Sequence, residues 1–335
     1  MWKKLLMGPA CVAVGYLGKK IYDNIKTAPS LAAAKPDSPD EASHSGAASN
    51  DGPEEVVITD PAAVKALTHI YETNGFGGNA PQGLNWDFSH PGQVRAVDGR
   101  LKAQDGFLIS LDLTDAGLVG TLKLHNVETL IALKATHYDS DNELDGIDFQ
   151  NLTALRTLNL GRNRIKDISS LADLKALTKL DIWSNYYITD LSPLAGLSNL
   201  VTLDVSFNNI GDIGPLSGLT KLTELSVSGQ CNQNLSDLSP LANMVDLTHL
   251  SLSGSSICDL TALRDLIKLT KLQIYDSTVS DISPLAGLLQ LEELQLSSHK
   301  LCDIRPLAGL SNLLELNLSG CMISDVTTLA ELKKL

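Results

Sequence analysis

The most regular feature of the chain is an apolar frame that returns every 22 to 25 residues over its second half. Each copy follows the pattern Leu-x-x-Leu-x-Leu-x-x-Asn-x-Ile-x-Asp-Ile-x-Pro-Leu-Ala-x-Leu, with later copies departing at single positions. The copies begin at Leu155, Leu177, Leu200, Leu222, Leu247, Leu269, Leu291 and Leu313. A period of this size is typical of solenoids, in which each repeat buries its apolar face only against its neighbours. The pattern therefore predicts an α/β solenoid.

Each copy predicts two elements on opposite faces of this solenoid. The Leu-x-x-Leu-x-Leu portion predicts a short strand, and stacked strands form a parallel sheet with about 4.8 Å between neighbours. Ser192-Pro193 and its equivalents, followed by a glycine such as Gly196, predict a short helical or 3-10 turn on the convex face. Two irregular copies, starting at Leu108 and Leu130, bring the total to about ten.

The last copy has no successor in this sequence, because Leu335 falls 22 residues after Leu313. Solenoids normally finish with a polar-faced cap. We therefore expect an uncapped final coil, which predicts either end-to-end self-association through that coil or local fraying.

The position eight residues after the first leucine of each copy predicts an internal hydrogen-bond ladder. In the first full copies it holds Asn163, Asn185 and Asn208, whose buried amides can bond the backbones of neighbouring coils. In later copies it holds Gln230, Ser255, Ser277, His299 and Cys321. This change predicts weaker stacking toward the C-terminal half.

One aspartate recurs in every full copy. These residues are Asp167, Asp190, Asp212, Asp237, Asp259, Asp281, Asp303 and Asp325. Two interpretations stay open: a ladder of carboxylates that binds cations, or carboxylates that accept backbone N–H groups in their own turn. A single carboxylate per turn favours the second, so no metal site is predicted.

The N-terminal quarter has a different organisation. In residues 1–26, Lys3 and Lys4 precede the apolar stretch Leu5–Leu17, which is too short to span a bilayer but suits a secretory signal. Lipidation of Cys11 and an amphipathic helix that associates with a membrane or a partner are the alternatives. Residues 27–55 are rich in Ala, Pro, Ser, Asp and Glu, which predicts a disordered acidic linker.

Residues 56–107 predict an N-terminal helical cap for the repeats at 108–335. Thr59-Asp60-Pro61 can begin a helix, and Asn74-Gly75 can end it. The run Leu67–Gly75, then Asn85-Trp86, Asp98-Gly99-Arg100 and Leu108–Leu113 resemble the capping segment of plant-type extracellular leucine-rich repeats. The paired cysteines usual in that family are missing from the cap.

The main array, with its repeated Asp-Ile-Ser-Pro-Leu-Ala-Gly-Leu, resembles the bacterial internalin-like class of leucine-rich repeats with 22-residue copies. The resemblance implies a curved array whose concave face carries the parallel sheet. It also implies binding rather than catalysis, since that class includes adhesins and receptors.

Composition and motifs narrow the function further. The formal net charge of −13 argues against nucleic-acid binding and makes a basic partner the natural one. The five cysteines include Cys258 and Cys302, which hold equivalent sites two repeats apart, beyond disulfide reach, so we expect buried free thiols. The seven histidines are scattered, and no nucleophile motif or phosphate-binding loop occurs. We therefore expect neither an enzyme nor a cofactor.

The candidate binding site lies at the centre of the concave face. One solvent-facing column is polar throughout and acidic at Asp181 and Asp204, and Trp183, Phe207 and Tyr275 interrupt columns otherwise filled by Ser, Thr and Gly. Interface hot spots are enriched in Trp and Tyr, so these aromatics, the two aspartates and the neighbouring Lys179 are predicted to contact a partner. The alternative is that each aromatic packs sideways over its small neighbours.

Together these features predict a non-catalytic binding module of a secreted or bacterial cell-envelope protein. Its partner is a protein or a glycan, and residues 1–26 offer membrane association. The alternative is a cytoplasmic scaffold or regulatory subunit, similar to the 22-residue-repeat regulators of phosphatases.

Overall fold

The computed structural model of the protein describes residues 55–73, 84, 86–137, 144–229, 234–254 and 256–335. The predictions for residues 1–26, for nearly all of the linker, and for Gln230 and Ser255 lie outside these ranges. Residues 51–335 form one compact unit. Within the described ranges, no helix has the length and apolar character needed to cross a membrane.

In its described residues, the N-terminal cap combines one helix with four strands. Helix α1 (Pro61–Thr73) begins where predicted, because a carboxylate oxygen of Asp60 accepts the Ala63 N–H at 3.0 Å, and it buries Leu67 and Ile70. Strands β1 (Val56–Ile58), β2 (Trp86–Asp87) and β3 (Val94–Ala96) form a small antiparallel sheet. Strand β4 (Leu101–Gln104) pairs antiparallel with the first strand of the main sheet and so covers its N-terminal edge.

The main sheet confirms the predicted repeats, since it holds ten parallel strands, one for each copy. They are β5 (Phe107–Asp112), β7 (Ala132–Lys134), β9 (Thr157–Asn159), β10 (Lys179–Asp181), β11 (Thr202–Asp204), β12 (Glu224–Val227), β13 (His249–Ser253), β14 (Lys271–Ser277), β15 (Glu293–Ser298) and β16 (Glu315–Asn317). The first leucine of each full copy is fully buried. We number the coils 1 to 10 in chain order, from the copy at Leu108 to the copy at Leu313.

The opposite side of the array changes character along the chain. In coils 1 and 2 it carries two parallel strands, β6 (Gly120–His125) and β8 (Leu144–Gln150). In coils 3 to 10 it carries 3-10 turns at Ser169–Leu171, Ser192–Leu194, Gly214–Gly218, Ser239–Leu241, Thr261–Leu263, Ser283–Gly287, Arg305–Gly309 and Thr327–Glu331. The predicted turns are thus confirmed for the eight full copies, whereas the two irregular copies adopt strands instead.

The recurring aspartates start these turns. In all eight coils the carboxylate accepts the backbone N–H of the residue two positions later, at 2.7 to 3.0 Å. The aspartate, rather than the serine before the proline, is therefore the capping group. Over the described residues, no group of three or more His, Cys, Asp or Glu side chains could hold a metal ion. The backbone-binding interpretation of this column is confirmed.

The amide ladder is present in coils 3 to 5. The side-chain NH2 of Asn163, Asn185 and Asn208 donates to carbonyl oxygens of its own coil and of the preceding one, at 2.8 to 3.1 Å. At the ladder positions that the structure describes in later coils, fewer bonds form: the Ser277 hydroxyl donates to the Ser297 carbonyl at 2.9 Å, and the Cys321 thiol lies 3.5 Å from the Leu296 carbonyl. In coil 9 the prediction of His299 is wrong, because His299 is exposed and Ser298 is buried in its place.

Two further expectations concern exposure. Cys258 and Cys302 are free as expected but exposed, so the prediction of buried thiols is wrong for them. In coil 10, strand β16 pairs with β15 and, among the described residues, with no other strand. Four apolar residues of this coil are only partly buried: Leu316, Leu318, Ile323 and Leu329. Self-association or fraying through this coil remains a prediction.

Candidate functional site

The solvent face of the main sheet carries the predicted polar column in unbroken register. It runs through Asp112, Lys134, Asn159, Asp181, Asp204, Ser226, Ser251, Gln273, Gln295 and Asn317. Asp181 on β10 and Asp204 on β11 are direct cross-strand neighbours. Two carboxylates thus lie side by side at the centre of this face.

An aromatic pair stands beside these carboxylates. Trp183 and Phe207 follow the ends of β10 and β11, and their ring centroids lie 6.5 Å apart at an interplanar angle of 69°. The Arg162 guanidinium lies 5.9 Å from the centroid of the Trp183 ring. Both aromatic side chains are partly exposed.

Glycines in adjacent coils make room for the aromatic pair. A methyl group on Gly161 would collide with the Trp183 indole, so that ring lies directly over Gly161. Phe207 has φ +55°, and a methyl group on Gly229 would approach its Cα to 2.7 Å. The aromatics therefore do pack sideways over small neighbours, and each keeps part of its surface open to solvent. A contact role for them remains a prediction.

Burial controls the protonation of the carboxylate pair. It raises the pKa of Asp181 to about 7, and the charge of Asp204 adds to the shift. The backbone N–H of Trp183 donates to the Asp181 carboxylate at 3.2 Å, and the Asn159 side-chain NH2 donates to it at 3.0 Å. Both hydrogen bonds and the charge of Lys179 lower the pKa of Asp181, but they do not cancel the rise. Burial also raises the pKa of Asp204, against hydrogen bonds from Ser206. A cation placed beside this pair would favour its ionised form.

The other two predicted contact residues have different positions. Lys179 precedes Asp181 by two residues on β10, so it lies on the same face, and its side chain is exposed. Tyr275 lies in coil 8, three coils beyond Phe207 and therefore about 14 Å away at the spacing of strands. Its hydroxyl donates to the Gln295 side-chain oxygen at 2.7 Å. The structure brings Trp183, Phe207 and the charged residues together, and Tyr275 stands apart from them.

Sequence reasoning missed two tyrosines next to this group. Tyr186 and Tyr187 are each 54% exposed, directly after the ladder residue Asn185. The Lys166 ammonium lies 5.0 Å from the centroid of the Tyr187 ring. The spacing of the leucines could have revealed these tyrosines, because Leu177 and Leu200 are 23 residues apart whereas the neighbouring copies are 22 residues long. One extra residue enters the coil at this point.

Comparison with known proteins matches this architecture. A family model described as Leucine Rich repeats (2 copies) matches residues 140–196 and 198–243. An internalin C2 from Listeria monocytogenes is 33% identical, with a TM-score of 0.52, and the similarity covers 55% of this chain and 80% of that one. An internalin (inlF) from the same species is 27% identical, with a TM-score of 0.52, over 65% of this chain and 72% of that one.

A plant protein is similar over a shorter range. The Receptor-like protein kinase BRI1-like 3 of Arabidopsis thaliana is 30% identical over 132 residues, which is 37% of this chain. The matched part is only 11% of the kinase's length. With the ten-stranded parallel array and its 3-10 turns, these similarities show that the chain belongs to the leucine-rich repeat family, with an internalin-like array and plant-like features.

Proposed function

We propose that the chain is the non-catalytic binding module of a secreted or cell-envelope protein, and that it holds a protein partner on the concave face of the array. Leucine-rich repeats are protein-binding modules. We propose in addition where on the array the partner binds, and that the protein acts outside the cytoplasm. The observation that carries it is the Trp183–Phe207 pair beside the Asp181–Asp204 pair, in the middle of an otherwise small and polar face.

The residue types at this place favour a contact surface. Equivalent positions in most other coils hold Ser, Thr or Gly, which satisfy the fold without any large side chain. Partly exposed aromatics leave apolar surface in water, and covering it with a partner is favourable by about 25 cal/mol per Å². Partly buried carboxylates add directional recognition of a cationic or hydrogen-bonding group. A protein side chain supplies either group, and we favour it over a glycan for that reason.

Location outside the cytoplasm is supported by the internalins and the receptor-like kinase among the similar proteins. The competing proposal is an intracellular scaffold. Fractionation of the source cells, with sequencing of the mature N-terminus, separates them: export predicts loss or membrane retention of residues 1–26, and an intact N-terminus in the cytoplasmic fraction would contradict export.

Binding is tested with peptides selected from a phage-displayed random library on the immobilised protein. We expect the variant Trp183→Ser/Phe207→Ser to weaken binding of the selected peptides at least tenfold while its circular dichroism spectrum is retained. Ile267→Ser, which changes a 59% exposed residue away from the concave face, is the control and should bind as the wild type does. Unchanged affinity in the double variant would contradict the site.

A further inference from the structure

The extra residue of coil 4 changes the backbone at the edge of the binding face. Coils 3 and 5 go from the ladder asparagine to the next buried isoleucine in two residues, Asn163 to Ile165 and Asn208 to Ile210, whereas coil 4 takes three. Tyr186 absorbs the difference with φ +59°, a left-handed conformation that is unfavourable for a residue with a bulky side chain. The loop after Asn185 is therefore strained.

The same insertion coincides with a broken step in the ladder. The side-chain oxygen of Asn163 accepts the Leu144 N–H at 3.0 Å, and that of Asn185 accepts the Ile165 N–H at 3.0 Å. The equivalent donor for Asn208 is the N–H of Ile188, just after the insertion. Asn208 is fully buried, yet its side-chain oxygen has no hydrogen-bond partner. A buried acceptor without a partner destabilises the fold.

The strained backbone at Tyr186 and the unpaired amide oxygen of Asn208 occur where the rings of Tyr186 and Tyr187 are exposed. The Tyr186 N–H donates to the Phe207 carbonyl at 3.3 Å, so the tyrosine loop is tied to the coil that carries Phe207. Trp183 lies three residues before Tyr186. We call Trp183, Tyr186, Tyr187 and Phe207 the aromatic rim. Backbone strain that is not accompanied by burial of the strained residues is a recurring property of binding sites.

Charge indicates what the aromatic rim binds. Among the residues that the structure describes, neither Asp181 nor Asp204 has a cationic side chain within ion-pair distance. The whole chain carries a formal charge of −13, which attracts basic partners and repels acidic ones. The cation that would complement the pair is therefore best supplied by a partner.

We propose that the aromatic rim and the Asp181–Asp204 pair form one continuous surface that binds a basic, extended segment of a protein partner. An arginine or lysine side chain of that segment contacts the two carboxylates, and its apolar side chains lie along Tyr186 and Tyr187. This inference rests on the proposed function and extends the site from the sheet over the edge of the array.

The first test is the composition of peptides selected on the wild-type protein. A phage-displayed random library should yield binders enriched in arginine and lysine relative to the unselected library. Enrichment in aspartate and glutamate, or no charge preference, would overturn the proposed partner chemistry. A library that yields no binder above background would count against both this inference and the proposed function.

The second test compares variants with one selected peptide by fluorescence anisotropy. Tyr186→Ser/Tyr187→Ser should weaken binding about tenfold, and Val245→Ser/Ile267→Ser, which changes two residues 48% and 59% exposed elsewhere, should not weaken it. If the tyrosine variant binds normally while Trp183→Ser/Phe207→Ser does not, the rim is wrong and the proposed function stands. If both bind normally, the proposed site is wrong as well.

A deletion separates binding from folding. Removing Tyr186 restores the two-residue step of the neighbouring coils, so the melting temperature should stay the same or rise while peptide affinity falls about tenfold. If the loop serves only the fold, the deletion should lower the melting temperature and leave the affinity of the folded protein unchanged. That result would overturn the inference.

Discussion

Replacing Asp181 by asparagine tests the electrostatics of the proposed binding face directly. The substitution keeps the size of the side chain and removes its charge. In the unfolded chain this carboxyl group has an ordinary pKa of 3.8, whereas burial and Asp204 raise it to about 7 in the folded protein. Between these two values the folded protein binds more protons than the unfolded chain. Its stability must therefore fall as the pH rises through this window, and become level above about pH 7.

The magnitude follows from the size of the shift. A difference of about 3 pH units corresponds to about 4 kcal/mol of destabilisation at pH 8, at about 1.4 kcal/mol per unit. The asparagine keeps one acceptor oxygen where the carboxylate has two, and loses one of the hydrogen bonds from Trp183 and Asn159, which costs about 1 kcal/mol. We expect Asp181→Asn to be more stable than the wild type by about 3 kcal/mol at pH 8. Near pH 4 it should have no advantage, because the wild-type carboxyl group is protonated in the folded protein and the lost hydrogen bond is the larger effect.

Denaturant unfolding from pH 4.5 to pH 8 measures this difference. Burial also lowers the pKa of His137, which gives the opposite pH trend, but that trend is common to both proteins and cancels in the comparison. The control is Asp190→Asn in a 3-10 turn, where hydrogen bonds from Ser192 lower the pKa. The control should be less stable than the wild type throughout this range. A stability difference for Asp181→Asn that is constant with pH would refute the reasoning.

Three further predictions concern the site and the array. Binding of a basic peptide should tighten as the pH rises from 6 to 8, because ionisation of Asp181 favours the cation, and Asp181→Asn should remove most of this dependence; isothermal titration at several pH values measures it. Asn185→Ala should cost about 1–3 kcal/mol because it leaves neighbouring backbone groups unpaired, and Ser277→Ala should cost less because its hydroxyl donates a single bond; equal losses in denaturant melts would contradict the ladder. Coil 10 should either mediate concentration-dependent association in sedimentation or exchange its amide hydrogens faster than coil 5, and a monomer with equally slow exchange in both would exclude the two outcomes.

The period of the leucines was sufficient to predict the coils and, for the eight full copies, the turns on the opposite side. In a solenoid each copy contacts only its neighbours, so a pattern repeated along the chain becomes a column in space. The aspartate column shows this: one position per copy predicted one backbone hydrogen bond per turn, and all eight form. Single-residue irregularities were less predictable. In coil 9, Ser298 is buried in place of His299, because the pairing of β14 with β15 shifts register after Ile274 and brings Ser277 opposite Ser298.

The properties of the proposed binding face depended on the tertiary structure. Asp112 and Asp181 occupy equivalent positions of one column, yet only Asp181 combines burial with a second carboxylate on the next strand. Trp183 depends on Gly161 in the preceding coil, and the exposure of Tyr186 and Tyr187 depends on how one extra residue fits between two regular coils. These features arise between coils rather than within one copy. Burial, proton affinity and strain are set by neighbours across the stack, and the local sequence of a single copy does not contain them.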